Sequence, residues 1–294
     1  MSVGGTRYAG VRWMLLATFL FTSLDATAKY LTAYYPVEQV VWARFFFHLL
    51  LLIAYLGWET TRAVKTQRLG LQLWRSGLML VTNLLFFIAV RSLPLADVVA
   101  VMFVGPLLVT ALSVPLLGER VGPRRWGAVL VGFVGAWIIV RPGSGVMQGL
   151  ALLPLLAALT NALYTIATRK LSNQDSTMTT LLYTGLIGAV ATSAYLPRVW
   201  VTPDALGWWL MLLVGALGAL GHLAFIRALT ISPPAALMPF SYLVLIWSTG
   251  YGYVLFDDIP DQQMLIGAAV VVASGLYVLH RERIVGYAAG SGDG

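Results

Sequence analysis

The sequence predicts an all-α integral membrane protein of ten transmembrane helices arranged as two inverted five-helix repeats. Three observations predict it: a composition poor in charge, a series of apolar runs parted by charged or Gly/Pro-rich breaks, and a weak likeness between the two halves of the chain.

Of the 294 residues, 59% are hydrophobic and 11% are charged, too little charge to cover a water-soluble domain of this size. The apolar runs fall near 11–30, 39–58, 71–91, 95–117, 124–141, 149–169, 177–197, 207–228, 234–256 and 263–281. Each is close to the roughly 20 residues that a helix needs to cross a bilayer. Such spans leave short connections and no sizeable soluble domain. The start, MSVGGTRYAGVRWMLLATFLF, resembles a signal peptide. Its apolar run nevertheless continues for about 20 residues without a small-residue cleavage site, so it reads as the first span.

The formal charge of +7 does not mark a nucleic-acid partner, because the basic residues come singly or in small groups between apolar runs. They read as topology signals. With the N-terminus in the cytoplasm, fourteen Lys/Arg lie on the inner side, four (Lys29, Arg91, Arg141 and Arg198) lie on the outer side, and Arg44 falls inside a span. That bias places both termini in the cytoplasm. The chain has no cysteine, which excludes disulfides, thiol catalysis and zinc–thiolate sites. It also has no Asn-x-Ser/Thr acceptor, and a bacterial inner membrane fits.

The halves align at a constant shift of 139, AVRSLPLADVV (89–99) on ALTISPPAALM (228–238), so that Pro94 matches Pro233, Ala96 matches Ala235, and Glu119 falls over Asp258. The division lies between residues 1–145 and 146–294. Five spans in each half force the second to run opposite to the first, the inverted arrangement of many secondary transporters.

Arg44 early in the second span (VVWARFFFHLLLL), the long stretch LPLADVVAVMFVGPLLVTALSVPLLGERVGPRRWGAVLVGFVGAWIIV, and the paired halves together resemble the drug/metabolite transporter superfamily, and within it the EamA-type exporters. Pro94, Pro106, Gly118 and Glu119 carry the most specific part. The nearest pattern is that of an aromatic amino acid exporter. The resemblance implies a carrier of small amphipathic metabolites working by alternating access, with a cavity lined chiefly by spans 1, 3, 4, 6, 8 and 9. Phe-Asp-Asp (256–258) departs from the Gly-Glu of the first half.

Polar and aromatic residues within spans are the candidate substrate contacts, because lipid penalises buried polarity: Asn83, Asn161, Tyr164, His222, Phe240, Tyr242 and Trp247. Each has a plain structural alternative, a hydrogen bond or packing contact with a neighbouring helix. His222 is also a candidate proton carrier. Pro106 and Pro239 read as helix kinks that free a backbone carbonyl. Asp25 and Arg44 are the opposite charges set inside the membrane at matching depth, which suggests an intramembrane pair. The alternative is that Arg44 snorkels while Asp25 pairs with Lys29 four residues on. Glycines at 132, 135, 215, 218 and 221 read as sites of close helix approach, and Trp13, Trp58, Trp74, Trp200, Trp208 and Trp209 as an interfacial belt.

A second function class rests on DDIPD, where Asp257, Asp258 and Asp261 match the carboxylate cluster with which prenyl-transfer enzymes hold diphosphate through magnesium. The segment related to it by the repeat, GERVGPRR, falls on the opposite face, which disfavours an enzyme. No phosphate-binding loop or metalloprotease motif occurs. The Gly143–Ser144–Gly145 stretch reads as loop punctuation. The expected partners are a small-molecule substrate and membrane lipid, with no cofactor, metal or nucleic acid. No feature of the sequence selects between monomer and homodimer.

Overall fold

The computed structural model describes residues 3–118, 121–141, 150–171, 174–232 and 234–290, with side chains at both ends of the chain and at a few positions near 151 and 235 left aside. Glu119, the 143–145 loop and Pro233 lie outside the described residues.

Among the described residues every regular element is helical: α1 (Val3–Thr32), α2 (Val37–Leu56), α3 (Thr60–Ala63), α4 (Leu69–Ser92), α5 (Leu95–Met102), α6 (Gly105–Leu117), α7 (Pro123–Val140), α8 (Leu153–Leu171), α9 (Thr177–Tyr195), α10 (Ala205–Ile231), α11 (Pro234–Ser241), α12 (Leu243–Phe256) and α13 (Gln262–Gly290), with short 3₁₀ turns between some of them. Seven helical stretches are long and apolar enough to cross a membrane: Val37–Ala63, Leu69–Ser92, Leu95–Leu117, Pro123–Val140, Thr177–Arg198, Ala205–Ile231 and Gln262–His280. The remaining three expected runs are helical but differ in kind. In α1, hydroxyls and the charges of Arg12, Asp25 and Lys29 dilute the apolar run. In α8, Thr160, Asn161, Thr165 and Thr168 do the same, and α11 and α12 are parted at Tyr242. The α1 hydroxyls are satisfied internally: Thr18, Thr22, Ser23 and Thr27 each donate to a carbonyl three or four residues earlier, the usual solution for a hydroxyl in an apolar medium.

Helix starts follow local chemistry. Ser176 accepts from the Thr179 amide and Asp204 from the Gly207 amide, capping α9 and α10. The Asp261 carboxylate accepts from the Met264 amide at the head of α13. Pro123 stands in the first turn of α7, where a missing N–H costs nothing.

The breaks in the fourth and ninth runs each lie within one helical turn of the expected prolines. The fourth run breaks at Phe103 and Val104, whose amides bond only three residues back. Pro106 then stands in the first turn of α6, so the interruption lies just ahead of it, where a proline breaks a helical run. Pro239 lies inside α11, and the break follows it at Tyr242. Pro115, inside α6, is a further interior proline.

The main packing pairs join the two halves of the chain. α1 lies along α10 and also meets α12, α4 lies along α8 and α9, α2 along α9 and α10, α5 against α12, α6 against α8, and α7 along α13. Glycines set the closest crossings. A Cβ at Gly215 would come within 2.3 Å of the Phe47 Cβ and 2.9 Å of the His48 amide, so α10 rests on α2 only because that atom is absent. Gly135 and Gly267 each face the other's carbonyl across the α7–α13 contact. The largest buried apolar cluster gathers Leu24, Val40, Val41, Phe87, Val90, Leu95, Met211 and Val214 among others, where α1, α2, α4, α5 and α10 meet. Trp58, Trp74 and Trp209 remain largely exposed at helix ends, as an interfacial belt requires.

Candidate functional site

α1 organises the interior, because it touches α2, α4, α5, α10, α11 and α12. At one end of the bundle, Lys29 Nζ donates to Asp258 Oδ2 at 2.7 Å and to the Leu93 carbonyl at 2.9 Å. It also sits 4.8 Å from the Phe256 ring centroid. One ammonium thereby ties α1 to the end of α4 and the end of α12. Beside it, Arg141 donates to Asp261. That guanidinium, together with the Met264 amide, holds the Asp261 carboxyl below its ordinary value, and the carboxylate in turn raises Arg141. Asp258 and Asp261 are therefore engaged in joining helices, and among the described residues no three His, Asp or Glu side chains converge as a metal site. That geometry does not favour the magnesium-binding reading of DDIPD.

Along the flank of α1, Ser23 Oγ lies 2.7 Å from the Tyr251 hydroxyl. Phe19, one turn away, meets Trp247 edge to face at 5.6 Å and Tyr251 at 6.2 Å. The Trp247 Nε1–H is buried without an acceptor. Tyr242 stacks on Phe103 at 4.8 Å, so the two helix breaks face each other through their rings. His222 hydrogen-bonds the Gly218 carbonyl at 2.8 Å and meets Phe21 at 5.0 Å and His48 at 5.5 Å, both edge to face.

On α4, Asn83 is 2% exposed. Its Nδ2 donates to the Met79 carbonyl at 2.8 Å, while its Oδ1 has no donor. Asn161 lines a cleft of about 260 Å³ together with Gly105, Pro106, Thr110, Thr165 and Gly275. Tyr164 belongs to a different group, and its hydroxyl accepts from Arg75 Nη2 at 2.5 Å. Arg75 is 2% exposed and also donates to Thr168 Oγ1 at 2.6 Å, to Thr184 Oγ1 at 2.8 Å and to the Thr180 carbonyl at 3.1 Å. Neutral oxygens thus take four of its five N–H groups. At that end of the bundle Asp175 accepts from Thr66, Gln72 and the Gln67 amide. Burial alone would raise its pKa, but these hydrogen bonds outweigh it and hold the carboxyl below 3.8.

The seven expected substrate contacts therefore divide. Trp247 and Tyr242 join aromatic contacts that also include Phe19, Tyr251 and Phe103. Asn83 and Trp247 each present an unsatisfied polar atom, Asn161 lines a cleft, and His222 is bonded within its own helix. Tyr164 is turned to Arg75, and Phe240 packs on the cluster of Met14, Ala228 and Leu237. The expected Asp25–Arg44 ion pair is not formed: no N···O distance of 4.0 Å or less joins them. Nor does Asp25 pair with Lys29, which Asp258 and the Leu93 carbonyl hold. Arg44 lies over the rings of Phe45 and Phe87 at 5.6 and 5.8 Å. Sequence reasoning missed Phe19, Ser23 and Tyr251. The available signal was paired polar and aromatic residues four apart on one face of each of two helices.

A helical bundle whose apolar shell encloses charge and unsatisfied polar groups is built to pass polar cargo through a membrane. Residues 8–141 and 148–279 match the model of the EamA-like transporter family, and the chain belongs to that family. It is a multi-pass membrane transporter and not an enzyme. The chain is 28% identical over 287 residues to a riboflavin transporter of Vibrio cholerae, covering 96% of both chains. It is 25% identical over 274 residues to an S-adenosylmethionine uptake transporter of Rickettsia prowazekii, covering 93% of both. It is 27% identical over 271 residues to a pseudopaline exporter of Pseudomonas aeruginosa, covering 90% of this chain and 94% of the other. A solved crystal structure with 19% identity shares the fold, with a TM-score of 0.59 over 93% of this chain and 96% of that one. These relatives are named for small metabolites other than aromatic amino acids.

Proposed function

We propose that the protein is a secondary transporter of the inner membrane that moves small amphipathic metabolites by alternating access, as an exporter of aromatic or other large amino acids. In this reading all ten helical runs cross the bilayer, both termini are cytoplasmic, and residues 1–145 and 146–294 form two inverted five-helix repeats. Exchanging the halves turns the α1–α10 contact into α4–α8, α2–α10 into α4–α9, and α1–α12 into the contact of α8 with α5 and α6, and each of these contacts is present. That exchange supports the repeat, as do the two separately matched segments. The charge bias of the short loops supports the orientation.

The observation that carries the substrate class is the wall of Phe19, Trp247 and Tyr251, in which an indole N–H is left without an acceptor beside ring faces. Export is the direction implied by the resemblance in the sequence, while the relatives are named for both uptake and export. Counterflow in proteoliposomes preloaded with unlabelled amino acids tests the reading without any assumption about coupling. Labelled phenylalanine or tryptophan should accumulate well above glycine. Equal accumulation of glycine and phenylalanine would refute the aromatic preference and leave the carrier standing.

A further inference from the structure

We infer that Asp25 and Arg44 form a divided head-group site for a zwitterionic metabolite, in which the carboxylate takes the substrate's ammonium and the guanidinium takes its carboxylate. The inference rests on the transporter reading and specifies what that site recognises.

Both residues lie seven positions inside their helices, Asp25 before the end of α1 and Arg44 after the start of α2. At about 1.5 Å per residue that is roughly 10 Å from either end, too deep for free hydration. Both side chains are only partly buried, yet among the described residues neither accepts nor donates a hydrogen bond, and Arg44 lies over the ring faces of Phe45 and Phe87. They are close enough to feel each other's charge and too far apart to form an ion pair. Lys29, one turn from Asp25, is already bound to Asp258 and the Leu93 carbonyl and does not neutralise it.

Two charges in contact would satisfy each other and need no ligand. Two opposite charges held apart deep within a helical bundle need their counterparts from elsewhere. The chemistry of each half is specific. A guanidinium presents parallel N–H donors that match a carboxylate, and a carboxylate accepts the donors of an ammonium. The site itself sums to zero charge. A zwitterion keeps it at zero through the crossing, whereas a lone cation or anion would leave net charge in the membrane interior.

The test is counterflow of the full-length protein with two probe sets: proteinogenic amino acids, and riboflavin as a metabolite without an ammonium–carboxylate pair. For whichever amino acid exchanges best, its amine lacking the carboxylate and its acid lacking the ammonium serve as competitors. In the unaltered protein each should compete at least tenfold more weakly than the zwitterion, a result that needs no variant to fold. Asp25→Asn should then weaken the zwitterion tenfold or more and leave the acid analogue nearly unchanged, and Arg44→Gln should do the same with respect to the amine analogue. Equal competition by the truncated analogues, or exchange of riboflavin alone, would overturn the head-group site while leaving the carrier intact. Exchange of neither probe set would overturn the carrier reading itself, and the head-group site with it.

Discussion

Lys29 Nζ on α1 and Asp258 Oδ2 just beyond α12 lie 2.7 Å apart, although 229 positions separate them in the chain. Their side chains are 12% and 25% exposed, so the pair is screened but not fully hydrated. It ties α1 to the end of α12 at one end of the bundle. Replacing Lys29 by Met should favour opening at that end. A partly buried pair is worth about 1 kcal/mol, which is roughly a fivefold change in the open fraction. In this cysteine-free chain the readout is the labelling rate of a cysteine placed at Thr27, which should rise about fivefold and return when the charges are exchanged as Lys29→Asp with Asp258→Lys. An unchanged rate would show that the contact closes nothing.

Arg75→Gln should lower the melting temperature in detergent by roughly 5 °C or more. Hydrogen bonds to a charged group are worth about 1.5–3 kcal/mol each, and 1 kcal/mol shifts a chain of this length by about 2–4 °C. Arg75→Lys should not restore it, because an ammonium on a flexible stem cannot reproduce the planar fork. Tyr164→Phe should cost less, about 1–2 kcal/mol, since the ring remains and one hydroxyl is lost. A full rescue by lysine would mean that charge alone, and not the fork, is what α8 and α9 hold.

Asp175 gives a pH dependence. Its folded pKa lies below the ordinary 3.8, so the stabilisation is fully present above that value and is lost as pH falls through the depressed folded value. Melting temperature should be flat from neutral pH to about 5 and fall below about 4, and Asp175→Asn should flatten part of that acid limb. An acid limb identical in the variant would remove Asp175 from the account.

The proposed topology is checked with single cysteines at Ile259, which is 74% exposed, and at Gln67. An impermeant thiol reagent applied to intact cells should label position 259, and position 67 only after the cells are opened. The reverse pattern would invert the orientation.

Helix positions were legible because burial in lipid demands long apolar runs, and the structure has helix over each of them. The charges Asp25 and Arg44 were legible as exceptions within those runs, since charge is costly there. Their relation was not. Equal depth along two helices says nothing about the rotation of each helix, and rotation turns Arg44 onto the faces of Phe45 and Phe87. Lys29 and Arg75 were both counted as topology signals, because a short-range reading sees only their distance from a span end. Their partners, Asp258 and the Thr168–Thr184 oxygens, lie in the other half of the chain. Pro106 was legible as an interruption of the fourth run, and the break falls just ahead of it on Phe103 and Val104, which have no distinctive composition of their own.

The setting of Arg75 has a consequence for the order in which the bundle is made. The residue belongs to α4, but every oxygen that receives its N–H groups belongs to α8 or α9. A nascent chain releases α4 before those helices have been synthesised, so at that stage the cation has no acceptor within its own half. It lies in the second turn of the helix, near enough to the end for the long side chain to reach the headgroups. The four oxygens that hold the guanidinium in the folded bundle therefore exist only once α8 and α9 have been made.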